Sequence, residues 1–184
     1  MVQLFAKYSW SFVARGVFAV LFGLMLILRG GSSLDFLVLS FGIFALLQGI
    51  FSGIPGLSKL DGRIYFLLIE GVIGILVGVL TFLFPGIGRM LWPDVATKTL
   101  LVFIASWAFI TGIAEMIGSF RLAGEMKGKW VITLSGWVAL LLGLILLLRS
   151  EAGATGNGLL IGLFGIVFGL LWVFVGLKAR NVHT

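Results

Sequence analysis

The sequence predicts an all-α, polytopic membrane protein of six transmembrane helices arranged as three repeated helical hairpins. Three observations carry that expectation. First, of 184 residues 60% are hydrophobic and only 11% charged, with a mean hydropathy of +1.21; an ordinary globular domain carries roughly 25% charged residues. Such a chain cannot cover a water-facing surface with polar groups. Second, the apolar residues fall into six runs, each close to the ~20 residues that span a bilayer core at ~1.5 Å per residue. Third, glycine recurs within those runs at a fixed spacing. A β-barrel would need alternating strands of about ten residues, and the demand that lipid makes on backbone hydrogen bonds leaves helices. One bundle over residues 1–184 is expected, with repeat units at about 1–60, 61–124 and 125–184.

The runs are Tyr8–Leu28, Leu34–Ile54, Ile64–Phe84, Thr97–Phe120, Trp130–Leu148 and Gly158–Lys178. The first is longer than the apolar core of a signal peptide and no small-residue cleavage site follows, so it reads as an uncleaved helix. Pro55-Gly56 is expected to close the second run and Pro85-Gly86 the third. Trp92-Pro93-Asp94 precedes the fourth, with Asp94 or Thr97 as N-cap, and Gly88–Ala96 is placed in the interface with Trp92 at headgroup level. Ser150–Gly158, "SEAGATGNG", reads as a loop.

Several chemistries are excluded. There is no cysteine and a single histidine, His183, so thiolate and polyhistidine metal sites are absent, and a Ser/His/Asp triad has no suitable base. "GIPGLSKLDGR" lacks the spacing of a phosphate loop. The net charge of +6 reads as orientation signal, with no nucleic-acid partner. Six spans put both termini on one side, with Lys7, Lys59, Arg63, Arg121, Lys127, Lys129, Lys178 and Arg180; the other side holds Arg29, Arg89, Lys98 and Arg149. Eight cations against four predict cytoplasmic termini.

The glycines are ordered. Odd runs read "RGVFAVLFG", "EGVIGILVG" and "SGWVALLLG": a polar residue, Gly, six residues, Gly. These place Gly16 and Gly23, Gly71 and Gly78, and Gly136 and Gly143 as pairs. Even runs carry "GIFALLQG", "ASWAFITG" and "GLFGIVFG", ending at Gly49, Gly112 and Gly169, with Gly162 opening the last. Seven residues are nearly two turns, so each pair shares one face, and small faces let helices approach closely. Packing within the chain is the leading reading; a homo-oligomer seam is the alternative. Repeats at this spacing are each one structural unit, and three hairpins suggest a pseudo-threefold bundle.

The stretches "WPDVATKTLLVFIASWAFITGIAEMIGSFRL" and "KGKWVITLSGWVALLLGLILLL" resemble the HdeD-like family of small bacterial and archaeal membrane proteins built from short repeats. The matching elements are Trp92-Pro93, the run to Gly112, Glu115, Arg121, Trp130 and Gly136. The resemblance implies a six-helix inner-membrane protein with an association to acid resistance and stress. It implies no catalytic residue and no cofactor.

Five polar residues lie inside the runs at one depth: Arg15, Gln48, Glu70, Glu115 and Ser135. Arg15, Glu70 and Ser135 hold the same repeat position. A lone charge in a bilayer costs about 2.5–3.5 kcal/mol on insertion scales, so mutual pairing is expected, Arg15 with Glu70 foremost. One arginine faces two carboxylates, and a low dielectric favours one retained proton, a property of the coupled pair; Glu115 is its expected holder. The expected function is non-enzymatic, with a buried polar layer that is structural and pH-responsive. The alternatives are a small proton or solute transporter or channel, and a membrane scaffold binding lipid or a protein partner.

Overall fold

The computed structural model describes residues 8–29, 34–57, 65–91, 93–121, 129–149 and 153–180. They form six helices and, among the described residues, no strand: α1 (Ser9–Arg29), α2 (Leu34–Gly56), α3 (Tyr65–Leu91), α4 (Pro93–Arg121), α5 (Lys129–Leu148) and α6 (Gly153–Arg180). Five stretches are long and apolar enough to cross a membrane: Ser9–Arg29, Phe36–Pro55, Leu100–Phe120, Trp130–Leu148 and Asn157–Ala179. The apolar run of α3, Leu67–Leu83, is shorter among the described residues. Large apolar side chains such as Leu28, Leu83, Phe120 and Leu148 face outward, as suits a surface meeting lipid.

Helix ends differ from the expected ones at three places. Pro85-Gly86 does not stop α3, which continues past its apolar run to Leu91; a proline removes one backbone donor and kinks a helix without necessarily ending it. The interfacial segment expected at Gly88–Ala96 is divided between the end of α3 and the start of α4, and Trp92 lies outside the described residues. Pro93 opens α4, where a missing N–H costs nothing. Of the expected loop Ser150–Gly158, the part from Gly153 onward is the first turn and a half of α6.

Pro55 lies inside the last turn of α2 and cannot donate to the carbonyl of Phe51 four residues back. The Ser11 hydroxyl of α1 donates to that carbonyl instead. A polar group left bare by the sequence of one helix is thus met by a neighbour.

The helices form a ring in which each touches the two beside it, and α6 returns to α1. Contacts across the middle are made chiefly by the even helices α2, α4 and α6. The glycine faces close between α2 and α3, α4 and α5, and α6 and α1. A Cβ on Gly49 would strike the Gly71 carbonyl at 2.7 Å, one on Gly112 the Gly136 carbonyl at 2.7 Å, and one on Gly169 the Gly16 carbonyl at 2.5 Å. The second glycines repeat the pattern: Gly78 against Leu46, Gly143 against the Ala105 carbonyl, Gly23 against the Gly162 carbonyl. The closest packing therefore joins helices of neighbouring expected hairpins and not the two helices within each. Its close pairs are α2/α3, α4/α5 and a third assembled from the two ends of the described chain. Consecutive helices of the expected first hairpin meet through bulk instead: Phe22 stacks on Phe44 with ring centroids 4.5 Å apart, and Phe18 on Phe51 at 5.5 Å.

Candidate functional site: a buried arginine–carboxylate layer

The polar residue before each odd-helix glycine and the residue three after each second even-helix glycine meet in one layer. The odd helices supply Arg15, Glu70 and Ser135; the even helices supply Ser52, Glu115 and Trp172. Alternating helix direction brings all six near the same end of the bundle, within a few turns of their helix ends. Each close pair contributes one contact: Ser52 with Glu70, Ser135 with Glu115, Trp172 with Arg15. The seams place the residues, because positions beside an abutting glycine are carried to the interior with little freedom to splay.

Arg15 is the hub. Its guanidinium faces Glu70 with both terminal nitrogens, Nη1 donating to Oε2 at 3.1 Å and Nη2 to Oε1. Nη2 also donates to Glu115 Oε1 at 2.7 Å, and Nη1 reaches Ser52 Oγ at 3.4 Å. The guanidinium carbon lies 3.9 Å from the Trp172 ring centroid and 5.3 Å from that of Phe168. Four of the five N–H donors of the fork are used, and Nε has no partner. Arg15, Glu70 and Glu115 are 0%, 1% and 0% exposed.

Each carboxylate receives three donors. Glu70 takes the two from Arg15 and the Ser52 hydroxyl at 3.0 Å. Glu115 takes Arg15, the Trp172 indole N–H at 3.0 Å, and the Ser135 hydroxyl. Buried charges are tolerable under this condition of opposite charge plus saturated hydrogen bonding. With both carboxylates ionised the layer carries one net negative charge, spread over two carboxylates around one guanidinium. Among the described residues there is no group of three or more His, Cys, Asp or Glu side chains able to hold a metal ion.

The structure brings Arg15, Glu70, Glu115 and Ser135 together as an interlocked set. Gln48, expected in the same layer, lies one turn before Ser52 on α2, deeper in the bundle, and makes no hydrogen bond at either amide atom. Ser52 and Trp172 were not legible from the odd-helix alignment. The signal that finds them is in the even helices, where Ser52, Glu115 and Trp172 each stand three residues after Gly49, Gly112 and Gly169. The glycines predicted for packing, from Gly16 to Gly169, lie in the seams described above.

Neither curated proteins nor solved structures give a match to this chain. A family model described as a short repeat of unknown function, DUF308, matches twice, over residues 14–83 and 80–148. Each copy contains one glycine-sealed pair, α2/α3 in the first and α4/α5 in the second. With most of its length so matched, the chain belongs to the family of the DUF308 short repeat.

Proposed function

We propose that this is a six-span integral protein of the cell (inner or plasma) membrane with both termini cytoplasmic. It is non-enzymatic, its solvent is the lipid bilayer, and its Arg15–Glu70–Glu115 layer fixes helix register and responds to protonation. The acid-resistance association of the HdeD-like proteins it resembles agrees with such a role, that of a stress-associated envelope factor. The observation that carries the reading is the dual partnership of Ser135. Its hydroxyl reaches both Glu115 Oε2 and the Ile132 carbonyl, the latter at 2.9 Å. When Glu115 is ionised, Ser135 donates to it. When Glu115 is protonated, the new O–H donates to Ser135, whose own proton turns to Ile132. Both charge states keep their hydrogen bonds, so the layer accommodates a proton without stranding a polar group.

The groups that face Glu115 in this layer are Arg15 of α1, Glu70 of α3, Ser135 of α5 and Trp172 of α6. Protonation removes the excess negative charge and weakens the bond to Arg15. Thermal unfolding in lipid nanodiscs between about pH 4 and 8, alongside proton flux in liposomes, tests the reading. The expected result is no flux, a melting temperature that changes with pH in wild type, and loss of that change in Glu115→Gln. Identical pH profiles for the two proteins would sink the proton response. Flux abolished by Glu115→Gln would replace this reading with transport.

A further inference from the structure

Halfway along the helices, beyond the polar layer, α1, α2, α4, α5 and α6 surround a cavity of about 30 Å³. Phe44 of α2, Trp107 of α4, Ala139 of α5 and Phe164 of α6 meet around it, each near the middle of its helix. Thr111 supplies the single hydroxyl among the lining side chains. Water in a protein interior needs two to four polar partners, and an apolar cavity stays dry. Rings that border an empty space forgo dispersion contacts on that side. A hydrocarbon guest restores them, and hydrocarbon is the medium around the bundle.

The seams between helices decide how such a guest enters. Three are closed by glycine: Gly49 and Gly71 join α2 to α3, Gly136 and Gly143 of α5 lie against α4, and Gly162 and Gly169 of α6 lie against α1. Between α1 and α2 the stacked rings of Phe22 and Phe44 fill the gap. Helix α3 lends no side chain to the cavity wall, so the α3/α4 seam does not lead to it. The α5/α6 seam is left. Its ring contact, Trp130 with Phe174 at 6.4 Å, lies beyond the polar layer and away from the cavity. Of the side chains lining the cavity, the two that are partly exposed are Val138 of α5 and Phe164 of α6, one on each side of this seam.

We propose that the cavity holds the methyl end of a lipid acyl chain, which enters from the bilayer between α5 and α6. Depth selects this guest. The chains of the two leaflets end at the bilayer midplane, and the middle residues of a spanning helix lie at that level. Size agrees: the volume admits about two water-sized spheres, space for the last carbons of a chain and for none of the rest. The seated chain end touches Phe168, whose ring centroid lies 5.3 Å from the Arg15 guanidinium carbon. It also touches Thr111, one turn from Glu115 on α4. Lipid packing thus reaches the wall that the cavity shares with the polar layer. The inference rests on the reading of the bundle as membrane-spanning and is independent of any proton response by Glu115.

Photo-crosslinking of the full chain in nanodiscs tests it. The probe is phosphatidylcholine with a diazirine on one acyl chain, either at its end or halfway along, and adducts are located by tandem mass spectrometry. The end-labelled lipid should mark buried Trp107 as well as outward-facing Leu141, and the mid-labelled lipid should leave Trp107 unmarked. Ala139→Leu, which fills the cavity, should lower the Trp107 adduct several-fold and leave that of Leu141 unchanged. Leu141 marked and Trp107 unmarked by the end-labelled lipid in wild type would overturn the site. Equal marking of Trp107 by both lipids would do so too, because only a chain end fits. Neither residue marked would refute the membrane reading, and the proposal with it. The wild-type comparison decides the matter even if Ala139→Leu fails to fold.

Discussion

Gly53 and Gly71 face each other across the α2/α3 seam, yet they tolerate a methyl group to opposite degrees. A Cβ on Gly71 would lie 2.7 Å from the Gly53 Cα and 2.8 Å from both the Gly53 nitrogen and the Gly49 carbonyl. All three are backbone atoms, so relief requires moving one helix off the other until contacts of 2.7 Å open to about 3.4 Å. A Cβ on Gly53 meets nothing nearer than the Gly71 Cα at 4.0 Å. Alanine gains up to ~1 kcal/mol over glycine in a helix interior, whereas overpacking costs ~1–3 kcal/mol. Gly53→Ala should therefore be neutral or stabilising by up to ~1 kcal/mol. Gly71→Ala should lose up to ~2 kcal/mol net of the same propensity gain, with a further loss if Glu70 is drawn away from Arg15. The assay is reversible unfolding in mixed micelles followed by tryptophan fluorescence. If Gly71→Ala were as stable as Gly53→Ala, the seam would not be the close backbone contact described, and the pairing of α2 with α3 would need revision.

The remaining expectations concern the layer and its surroundings. Arg15→Met strands two carboxylates and should destabilise by about 3–5 kcal/mol. Adding Glu70→Leu and Glu115→Leu to it should recover most of that loss, read in the same unfolding titration. Trp172→Phe keeps an aromatic face for Arg15 but removes the donor to Glu115, a loss of ~1.5–3 kcal/mol for a hydrogen bond to a charged group; Trp172→Leu should cost more, because the cation–π contact goes too. Ser11→Ala leaves the Phe51 carbonyl bare beside Pro55 and should cost about 1–3 kcal/mol, with faster amide exchange in the last turn of α2 as an independent readout.

Much of this arrangement is legible in the sequence, because membrane helices advertise their constraints. Seven-residue glycine spacing marks a close face without reference to partners, and counting residues from flanking cations puts Arg15, Glu70 and Glu115 at one depth. Which faces meet was not legible. Short connections favour pairing α1 with α2, but a glycine face binds wherever a matching face exists, and Gly16 and Gly23 find theirs on α6. Phe18 and Phe22, too bulky for a seam, turn toward Phe51 and Phe44 instead. Ser52 is not legible because a single hydroxyl in an apolar run carries no charge, and Trp172 is not because a tryptophan in such a run equally suits packing. The continuation of α3 through Pro85 has a different origin: proline removes one backbone donor and kinks a helix without necessarily ending it.

That α1 finds its closest companion in α6 has a consequence for how the protein is made. Among the six helices α1 leaves the ribosome earliest, carrying a permanently charged arginine. Glu70, Glu115 and finally Trp172 arrive only as α3, α4 and α6 are synthesised. Until then α1 is a poor occupant of the bilayer, with its glycine face uncovered. Of these six helices the latest to emerge is the one that seals the earliest, so a chain halted before α6 would present an open groove along α1 and a guanidinium lacking its aromatic cover.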